Sequence, residues 1–243
     1  MTSGFDTSRF EALTFDCYGT LIDWEQGIVS ALAELLGREL AGEEGERLLR
    51  SYAGFEAEAE RGPFAPYRQV LRWVGERLAE AEDVQVGASA LDRFAGSVVR
   101  WPAFPDSGQA LRELGTRFRL AIVSNVDDDL FAASAERLGV DFDEVVTAQQ
   151  VRGYKPGRAH FDEVLTRLDL PVDRVLHCAQ SLYHDIAPAR ALGFTSVWIN
   201  RRAGRPGGGA TPPQEATPDV ELPDLAALAR LTAVPRGEAG PST

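Results

Sequence analysis

The chain has 243 residues, of which 44% are hydrophobic, so it is long enough to bury one sizeable core and a smaller second domain. Its 37 acidic and 25 basic residues give a formal net charge of -12 with no basic cluster, which argues against nucleic acid or an anionic membrane as a partner. Cys17 and Cys178 lie in apolar segments without metal or disulfide spacing. Because the N-terminus has no signal-peptide pattern either, we expect a cytoplasmic protein with reduced thiols.

The first predicted element is a short apolar β-strand over residues 13–15. Asp16 ends this run, and Gly19 follows as a chain breaker. A carboxylate at the carboxyl end of a buried strand lies where open α/β sheets place their chemistry. An aspartate here could also cap a turn. We favour the catalytic interpretation because three later segments supply matching partners.

The next stretch, residues 24–100, is predicted to be helical. Apolar residues recur there at helical spacing, and no strand pattern interrupts them. The predicted helices are Trp24 to Gly37, Glu43 to Glu60, Tyr67 to Ala81 and Leu91 to Trp101. A block of helices directly after the first strand is typical of an inserted lid, so we assign residues 21–100 to a helical cap domain. Residues 1–20 and 101–235 then form the core domain.

Strand and helix patterns alternate in the rest of the chain. Short apolar runs predict strands at Leu120 to Val123, Glu144 to Val146, Arg174 to Cys178, Thr195 to Ile199 and Asp219 to Leu222. Helices are predicted at Ser107 to Gly115, Leu130 to Leu138, Ala159 to Leu168, Ile186 to Leu192 and Leu225 to Leu231. This alternation predicts an α/β fold with a Rossmann-like parallel sheet flanked by helices. The Gly- and Pro-rich residues 203–217 predict a mobile surface loop, and we expect a disordered tail at residues 236–243.

Polar clusters follow the predicted strands. They are Asp16, Ser124-Asn125, Lys155, and Gln180-Ser181 with His184-Asp185. Because the carboxyl ends of parallel strands meet at one edge of a sheet, we expect these clusters to converge. In this order, the set resembles the four motifs of the haloacid dehalogenase (HAD) superfamily, and Asp16-Cys-Tyr-Gly-Thr-Leu-Ile-Asp23 is similar to its first motif. The resemblance implies the HAD core fold with a C1-type cap between the first and second motifs.

The resemblance implies a role for each of the first three clusters. Asp16 would be the nucleophile, forming an ester with an sp3 carbon that water then hydrolyses. Ser124 would bind an anionic substrate oxygen and Asn125 would donate to a departing halide, although both residue types also serve as helix N-caps. Lys155, in Tyr-Lys-Pro, would keep Asp16 ionised and hold the substrate carboxylate. An ordinary surface lysine is the alternative.

Two positions discriminate within the superfamily. Tyr18 stands where phosphatases have a second aspartate, which resembles the type II (S)-2-haloacid dehalogenases, and Gln180 stands where phosphatases commonly have a metal-binding aspartate. Because Mg²⁺ prefers carboxylate ligands, we expect no obligatory metal and no other cofactor. Halide needs no proton to leave, whereas a phosphomonoesterase needs a general acid that Tyr18 replaces poorly. Asp185 matches the later acid of the fourth motif and would activate the hydrolytic water.

Substrate contacts are expected from both sides of the site. Ser181 and His184 could assist Asp185, although His184 is explained equally well as a helix-start residue. Type II dehalogenases place an arginine on the cap, near its second helix, to bind the halide and the substrate carboxylate. Arg50 is the first candidate for this role and Arg68 the second, although most arginines on helices are solvated.

The sequence therefore predicts a metal-independent dehalogenase of short 2-haloalkanoic acids that works through an ester on Asp16. One alternative is a phosphatase acting on a small phosphate ester, with Mg²⁺ held by Asp16, the Tyr18 backbone carbonyl and Asp185. Another is a non-catalytic ligand-binding protein that keeps the fold. The expected partner is a small anionic substrate rather than nucleic acid or a membrane, and the resemblance is compatible with a homodimer.

Overall fold

One sheet of parallel strands organises the computed structural model, which describes residues 5–205 and 207–233. The strands are β1 (Ala12–Phe15), β2 (Arg119–Ser124), β3 (Glu144–Thr147), β4 (Val175–Ala179), β5 (Thr195–Ile199) and β6 (Val220–Leu222). Their order across the sheet is β3-β2-β1-β4-β5-β6, and every neighbouring pair is parallel. The predicted α/β fold with a Rossmann-like sheet is thereby confirmed, and each strand ends within one residue of its predicted bounds.

The position of β1 in this order fixes where chemistry can occur. Phe15 in β1 pairs with Ile122 of β2 on one side and with Cys178 of β4 on the other. All four β1 residues are buried, which is why the strand reads as an apolar run without alternation. The chain runs outward from β1 to β3 and then returns to β4 across β1, so the strand order reverses here. Open α/β sheets bind ligands beyond the carboxyl ends of such strands, where Asp16 lies.

Helices lie between β1 and β2 in the chain, as predicted. They are α1 (Trp24–Leu36), α2 (Gly42–Glu60), α3 (Tyr67–Ala81) and α4 (Ala88–Ala95). The side chain of Asp23 accepts the N–H of Gln26 at 3.2 Å and so caps the start of α1. The last predicted helix is shorter than expected, since Gly96 follows α4 and a 3₁₀ turn at Ser97–Arg100 completes the segment. Assignment of residues 21–100 to a separate cap domain stays a prediction.

The remaining helices flank the sheet. They are α5 (Ser107–Gly115), α6 (Asp128–Leu138), α7 (Ala148–Val151), α8 (Ala159–Leu168), α9 (Ala187–Ala191) and α10 (Leu225–Thr232). On one face of the sheet, Phe161 and Val164 of α8 pack with Ala121 and Val123 of β2. On the other face, the hydrophobic core continues into the helices that follow β1.

Two C-terminal expectations differ from the structure or lie beyond it. The predicted helix at residues 186–192 is a π-helical turn, Leu182–Ile186, followed by the short α9. Within residues 203–217, the described part contains neither helix nor strand, and its mobility stays a prediction. The expected disordered tail at residues 236–243 lies outside the described residues. No helix in the described part of the chain is both long and apolar enough to span a membrane.

Candidate active site

Asp16 lies directly beyond β1 and is only 6% exposed. Its Oδ1 accepts a hydrogen bond from Lys155 Nζ at 3.0 Å, and its Oδ2 accepts one from the Thr20 hydroxyl at 2.9 Å. The Thr20 oxygen in turn accepts the Gln180 N–H at 2.9 Å, which ties the loop after β1 to the loop after β4. These bonds hold the carboxylate in one orientation. Sequence reasoning did not identify Thr20, although it lies one turn after Asp16 within the first motif.

The turn that carries Thr20 depends on Gly19. This residue has a φ of +91°, in the left-handed region that favours glycine. A Cβ at this position would also lie 2.8 Å from Trp24 Nε1, which is too close for two heavy atoms. The glycine therefore allows the loop to fold back tightly enough for Thr20 to reach Asp16.

Lys155 joins the two carboxylates of the site. Its Nζ lies 3.0 Å from Asp16 Oδ1 and 2.6 Å from Asp185 Oδ1. The third N–H donates to the carbonyl of Val123 at 2.8 Å, and the side chain is 1% exposed. The three donors of the ammonium are thus all paired within the described residues. The expected contact of Lys155 with Asp16 is present, and its role in holding the substrate carboxylate stays a prediction.

Burial and charge set the ionisation of this group of three. Burial raises the pKa of Asp16 to about 6, and the attraction of Lys155 limits the rise. Burial also acts to raise the pKa of Asp185, but the attraction of Lys155 and the contact with His177 outweigh it and lower the pKa to about 2. Burial acts to lower the pKa of Lys155, and the two carboxylates more than reverse this effect. At neutral pH the site therefore holds two carboxylates and one ammonium.

Asp185 keeps one oxygen without a partner. Its Oδ1 contacts Lys155 and also lies 3.3 Å from His177 Nε2. The other His177 nitrogen, Nδ1, lies 2.9 Å from the hydroxyl of Thr14, its neighbour across β1 and β4. Asp185 Oδ2 is buried and makes no hydrogen bond within the described residues. This oxygen can therefore accept a hydrogen bond from a water molecule or a ligand. His177 was also missed from the sequence, although a histidine inside the apolar strand β4 marks the position.

The second predicted cluster is only partly in contact with the cavity. Ser124 is fully buried, does not line the cavity, and its hydroxyl has no partner among the described residues. Asn125 Oδ1 accepts the Lys155 N–H at 2.7 Å, and its Nδ2 donates to the Lys155 carbonyl at 3.1 Å. Nδ2 also lies 3.4 Å from Glu60 Oε2. Asn125 therefore holds the backbone of Lys155 in place and lines the cavity, whereas Ser124 does not line it.

Tyr18, Ser181 and His184 all line the cavity. The Tyr18 hydroxyl is 3.0 Å from Ser134 Oγ, so its ring, rather than its hydroxyl, is available to a substrate. Ser181 Oγ accepts the His184 N–H at 2.9 Å and lies 3.1 Å from His184 Nδ1. His184 is therefore a turn-start residue whose other ring nitrogen, Nε2, faces Glu60 Oε2 at 3.9 Å. Burial lowers the pKa of His184 to about 4, so the ring is neutral.

Neither predicted cap arginine reaches the site. Arg50 is exposed and does not line the cavity, because it is rotated by about 200° around α2 from Tyr52, which is buried. Arg68 donates to Asp129 at 2.5 Å on the exposed side of α3. Neither side chain lines the cavity, and a substrate-binding arginine at position 50 or 68 stays a prediction.

Acidic side chains from α2 stand where an arginine was expected. The cavity lining contributed by the helices after β1 comprises Trp24, Glu56, Glu60 and Tyr67. Burial raises the pKa of Glu56 to about 7, although hydrogen bonds from Tyr67 and Tyr52 favour its ionised form. Burial and then the charge of Glu56 raise the pKa of Glu60 well above its usual range. The sequence contained these glutamates, but their shared inward face depends on how α2 packs.

The chain is similar to known proteins over most of its length. The family model of haloacid dehalogenase-like hydrolases matches residues 10–193. The chain is 26% identical over 232 residues to an (S)-2-haloacid dehalogenase of Pseudomonas putida, covering 88% of this chain and 94% of that protein. It is 27% identical over 247 residues to the 5-amino-6-(5-phospho-D-ribitylamino)uracil phosphatase of Escherichia coli, covering 92% and 96%. A crystal structure of an L-2-haloacid dehalogenase superposes with a TM-score of 0.75 at 27% identity, covering 91% of this chain and 97% of that one.

Proposed function

The chain belongs to the haloacid dehalogenase-like hydrolase family, and we propose that it hydrolyses the carbon–halogen bond of a short 2-haloalkanoic acid through an ester on Asp16. The observation that carries this proposal is the environment of the Asp16 carboxylate, which is buried, paired with Lys155 and hydrogen-bonded by Thr20. Such a carboxylate is desolvated and oriented, which favours attack on carbon. The similarity to haloacid dehalogenases over most of the chain supports the same reaction.

The first step would form a covalent ester. A lone pair of Asp16 attacks the carbon that bears the halogen, and the halide leaves with the electron pair of the broken bond. The reaction needs no general acid, because halide leaves as a stable anion. This agrees with Tyr18, whose hydroxyl contacts Ser134 rather than the cavity.

The second step would hydrolyse the ester. Water adds to the carboxyl carbon of Asp16 while Asp185 Oδ2, which has no partner within the described residues, accepts a proton. Collapse of the adduct breaks the bond between that carbon and the alkoxide oxygen, which takes a proton as the 2-hydroxy acid forms. Lys155 stabilises the developing negative charge near Asp16. The products are the 2-hydroxy acid, halide and one proton.

The phosphatase alternative requires a metal that fits this donor set poorly. Asp16 and Asp185 already share the ammonium of Lys155, and Gln180 supplies only a neutral amide at the third position. Within residues 5–205 and 207–233, no group of three His, Cys, Asp or Glu side chains is placed to hold a metal ion. Because Gln180 stands where phosphatases commonly have a metal-binding aspartate, we propose a reaction without Mg²⁺ or another cofactor. A cytoplasmic location, a homodimer and the small anionic substrate remain predictions of the same proposal.

A substrate panel tests this function directly. Purified protein is offered short 2-chloro acids and small phosphate esters, with and without EDTA, while released chloride and phosphate are measured. We expect chloride release that EDTA does not change, loss of turnover in Asp16→Asn, and nearly unchanged turnover in the matched control Cys17→Ala. EDTA-sensitive phosphate release without chloride release would instead establish the phosphatase. Absence of any turnover, with unchanged ligand binding in Asp16→Asn, would favour a non-catalytic protein.

A further inference from the structure

The side of the cavity formed by α2 is acidic, and no described lysine or arginine forms an ion pair with Glu56 or Glu60. Tyr52, Glu56 and Glu60 are spaced four residues apart, so they share one face of α2. Glu56 Oε1 accepts hydrogen bonds from the Tyr52 hydroxyl at 2.9 Å and the Tyr67 hydroxyl at 2.6 Å, which leaves Oε2 for another donor. Among the described residues that line the cavity, Lys155 is the one lysine or arginine, and its three N–H groups are already used.

A second, independent feature points into the same space. His184 is 7% exposed, and its Nε2 makes no hydrogen bond within the described part of the chain. This nitrogen lies 3.9 Å from Glu60 Oε2, too far for a direct hydrogen bond. The Ser181 hydroxyl can accept a hydrogen bond from a protonated His184 Nδ1, and in that tautomer Nε2 is an acceptor. Two buried acceptors at the cavity, His184 Nε2 and Asp185 Oδ2, then have no donor among the described residues, and Glu60 Oε2 has a long contact of 3.4 Å with Asn125 Nδ2.

We propose that Glu56, Glu60 and His184 form an acidic subsite that binds the ammonium group of the substrate. This rests on the proposed function and makes its substrate a short 2-haloacid that also carries a primary amine. An ammonium has three donors, which can be shared by the two carboxylates and the imidazole nitrogen. A buried carboxylate without a cation is costly, so a positively charged ligand would be favoured here.

The substrate's amine also reduces an electrostatic cost. A simple haloacid is an anion. It would enter a cavity where the two carboxylates of Asp16 and Asp185 and the ammonium of Lys155 leave a net charge of minus one. An amino acid of the same size is a zwitterion with no net charge, so the repulsion is partly offset. Burial raises the pKa of both glutamates, to about 7 for Glu56, so binding of an ammonium would favour their ionised forms and release protons to the solvent.

A binding experiment tests the subsite without requiring any turnover. β-Alanine and butanoate have the same number of heavy atoms and differ in the ammonium, and their binding is measured by calorimetry at pH 7 in two buffers of different ionisation enthalpy. We expect β-alanine to bind about 10- to 100-fold more tightly and to release protons, as suits one charge-assisted hydrogen bond. Tighter or equal binding of butanoate, or no proton release with β-alanine, would overturn the proposal.

Matched variants then assign the preference to these side chains. Glu60→Gln keeps the shape of the side chain and removes its charge, and Glu56→Gln provides a second variant if the first is unstable. In both, the preference for β-alanine over butanoate should fall at least tenfold. Glu58→Gln, on the exposed side of the same helix, should not change this preference. An unchanged preference in both folded variants would remove the glutamates from the proposed subsite.

Turnover separates this proposal from the one on which it rests. Chloride release from 3-amino-2-chloropropanoate is compared with release from 2-chlorobutanoate, which is nearly the same size. A preference of at least tenfold in kcat/KM for the amino substrate supports the subsite. Faster turnover of 2-chlorobutanoate would refute the subsite and leave the dehalogenase in place. Chloride from neither acid, combined with preferential binding of β-alanine, would refute the dehalogenase and leave the subsite in place.

Discussion

Replacement of Asp185 by asparagine should stop the proposed reaction after its first step. The substitution keeps the size of the side chain but removes the acceptor that would take a proton from water. It also removes a negative charge that acts to raise the pKa of Asp16, so the pKa of Asp16 should fall below its value of about 6. At neutral pH the nucleophile therefore stays ionised, and ester formation should continue.

The expected magnitude follows from the contacts that change. A general base contributes about 10²- to 10⁴-fold to a rate, so hydrolysis of the ester should slow by that factor, or about 3–5 kcal/mol in its barrier. Lys155 loses a carboxylate partner at 2.6 Å but keeps Asp16 and the Val123 carbonyl, so the nucleophile remains in position. Because formation is then faster than hydrolysis, the ester should accumulate to nearly one equivalent.

Mass spectrometry of the intact variant provides the assay. After incubation with a 2-chloro acid, Asp185→Asn should carry one added carboxyalkyl group, which peptide mapping should place on Asp16. Chloride release should show a burst of about one equivalent per protein, followed by slow turnover. Asp173→Asn, an exposed position shortly before β4, serves as the control and should show neither effect. Slow turnover without a mass increase, or turnover at the wild-type rate, would refute the ester route through these two residues.

Further expectations concern ionisation, the missing arginine and stability. Since Asp16 must be ionised to attack, kcat/KM should fall below about pH 6. Thr20→Val removes a hydrogen bond that lowers the pKa of Asp16, so it should move this fall to higher pH, with about a 10-fold loss of rate. An unchanged pH profile in this variant would contradict the role of Thr20. Arg50→Ala should retain kcat/KM within about twofold, because the Arg50 side chain is exposed and lies outside the cavity. A large rise in KM would instead indicate that Arg50 contacts the substrate. The pKa of Glu56 is about 7 in the folded protein, against an ordinary value of 4.5. Between these pH values the folded state binds more protons than the unfolded state, so the protein loses stability as the pH rises. The free energy of unfolding of Glu56→Gln, measured in urea, should lack this part of the pH dependence.

The fold could be predicted largely because its determinants are local. Strands such as β4 are buried on both sides and read as continuous apolar runs, while the helices keep their amphipathic spacing. Departures occur where spacing does not decide the geometry. Gly96 divides the predicted fourth helix, and the π-helical turn at Leu182–Ile186 replaces the start of another. That turn places Asp185 against Lys155, so the irregular geometry coincides with the proposed site.

Within the candidate site, the residues that could be found from sequence are those attached to strand ends. Asp16, Lys155 and Asp185 follow β1, β3 and β4 in the chain, and parallel strands align their carboxyl ends, so their convergence at one edge of the sheet could be predicted. The sequence could not predict that all three donors of Lys155 are occupied or that the hydroxyl of Ser124 is buried. Each depends on how segments far apart in the chain pack together, and a shift of a few tenths of an ångström would change it.

The helices between β1 and β2 are harder to interpret from sequence, and we expect the residues that select the substrate to lie on them. A helix of 19 residues such as α2 presents several faces, and the sequence alone does not say which face meets the core. Arg50 and Glu60 lie on the same helix, yet only Glu60 lines the cavity. In the proposed mechanism, Asp16, Lys155 and Asp185 act on the reacting carbon and its ester, whatever else the substrate carries. Similarity to both a dehalogenase and a phosphatase is therefore expected of the core, and the charge that α2 places opposite Asp16 is what would decide between substrates.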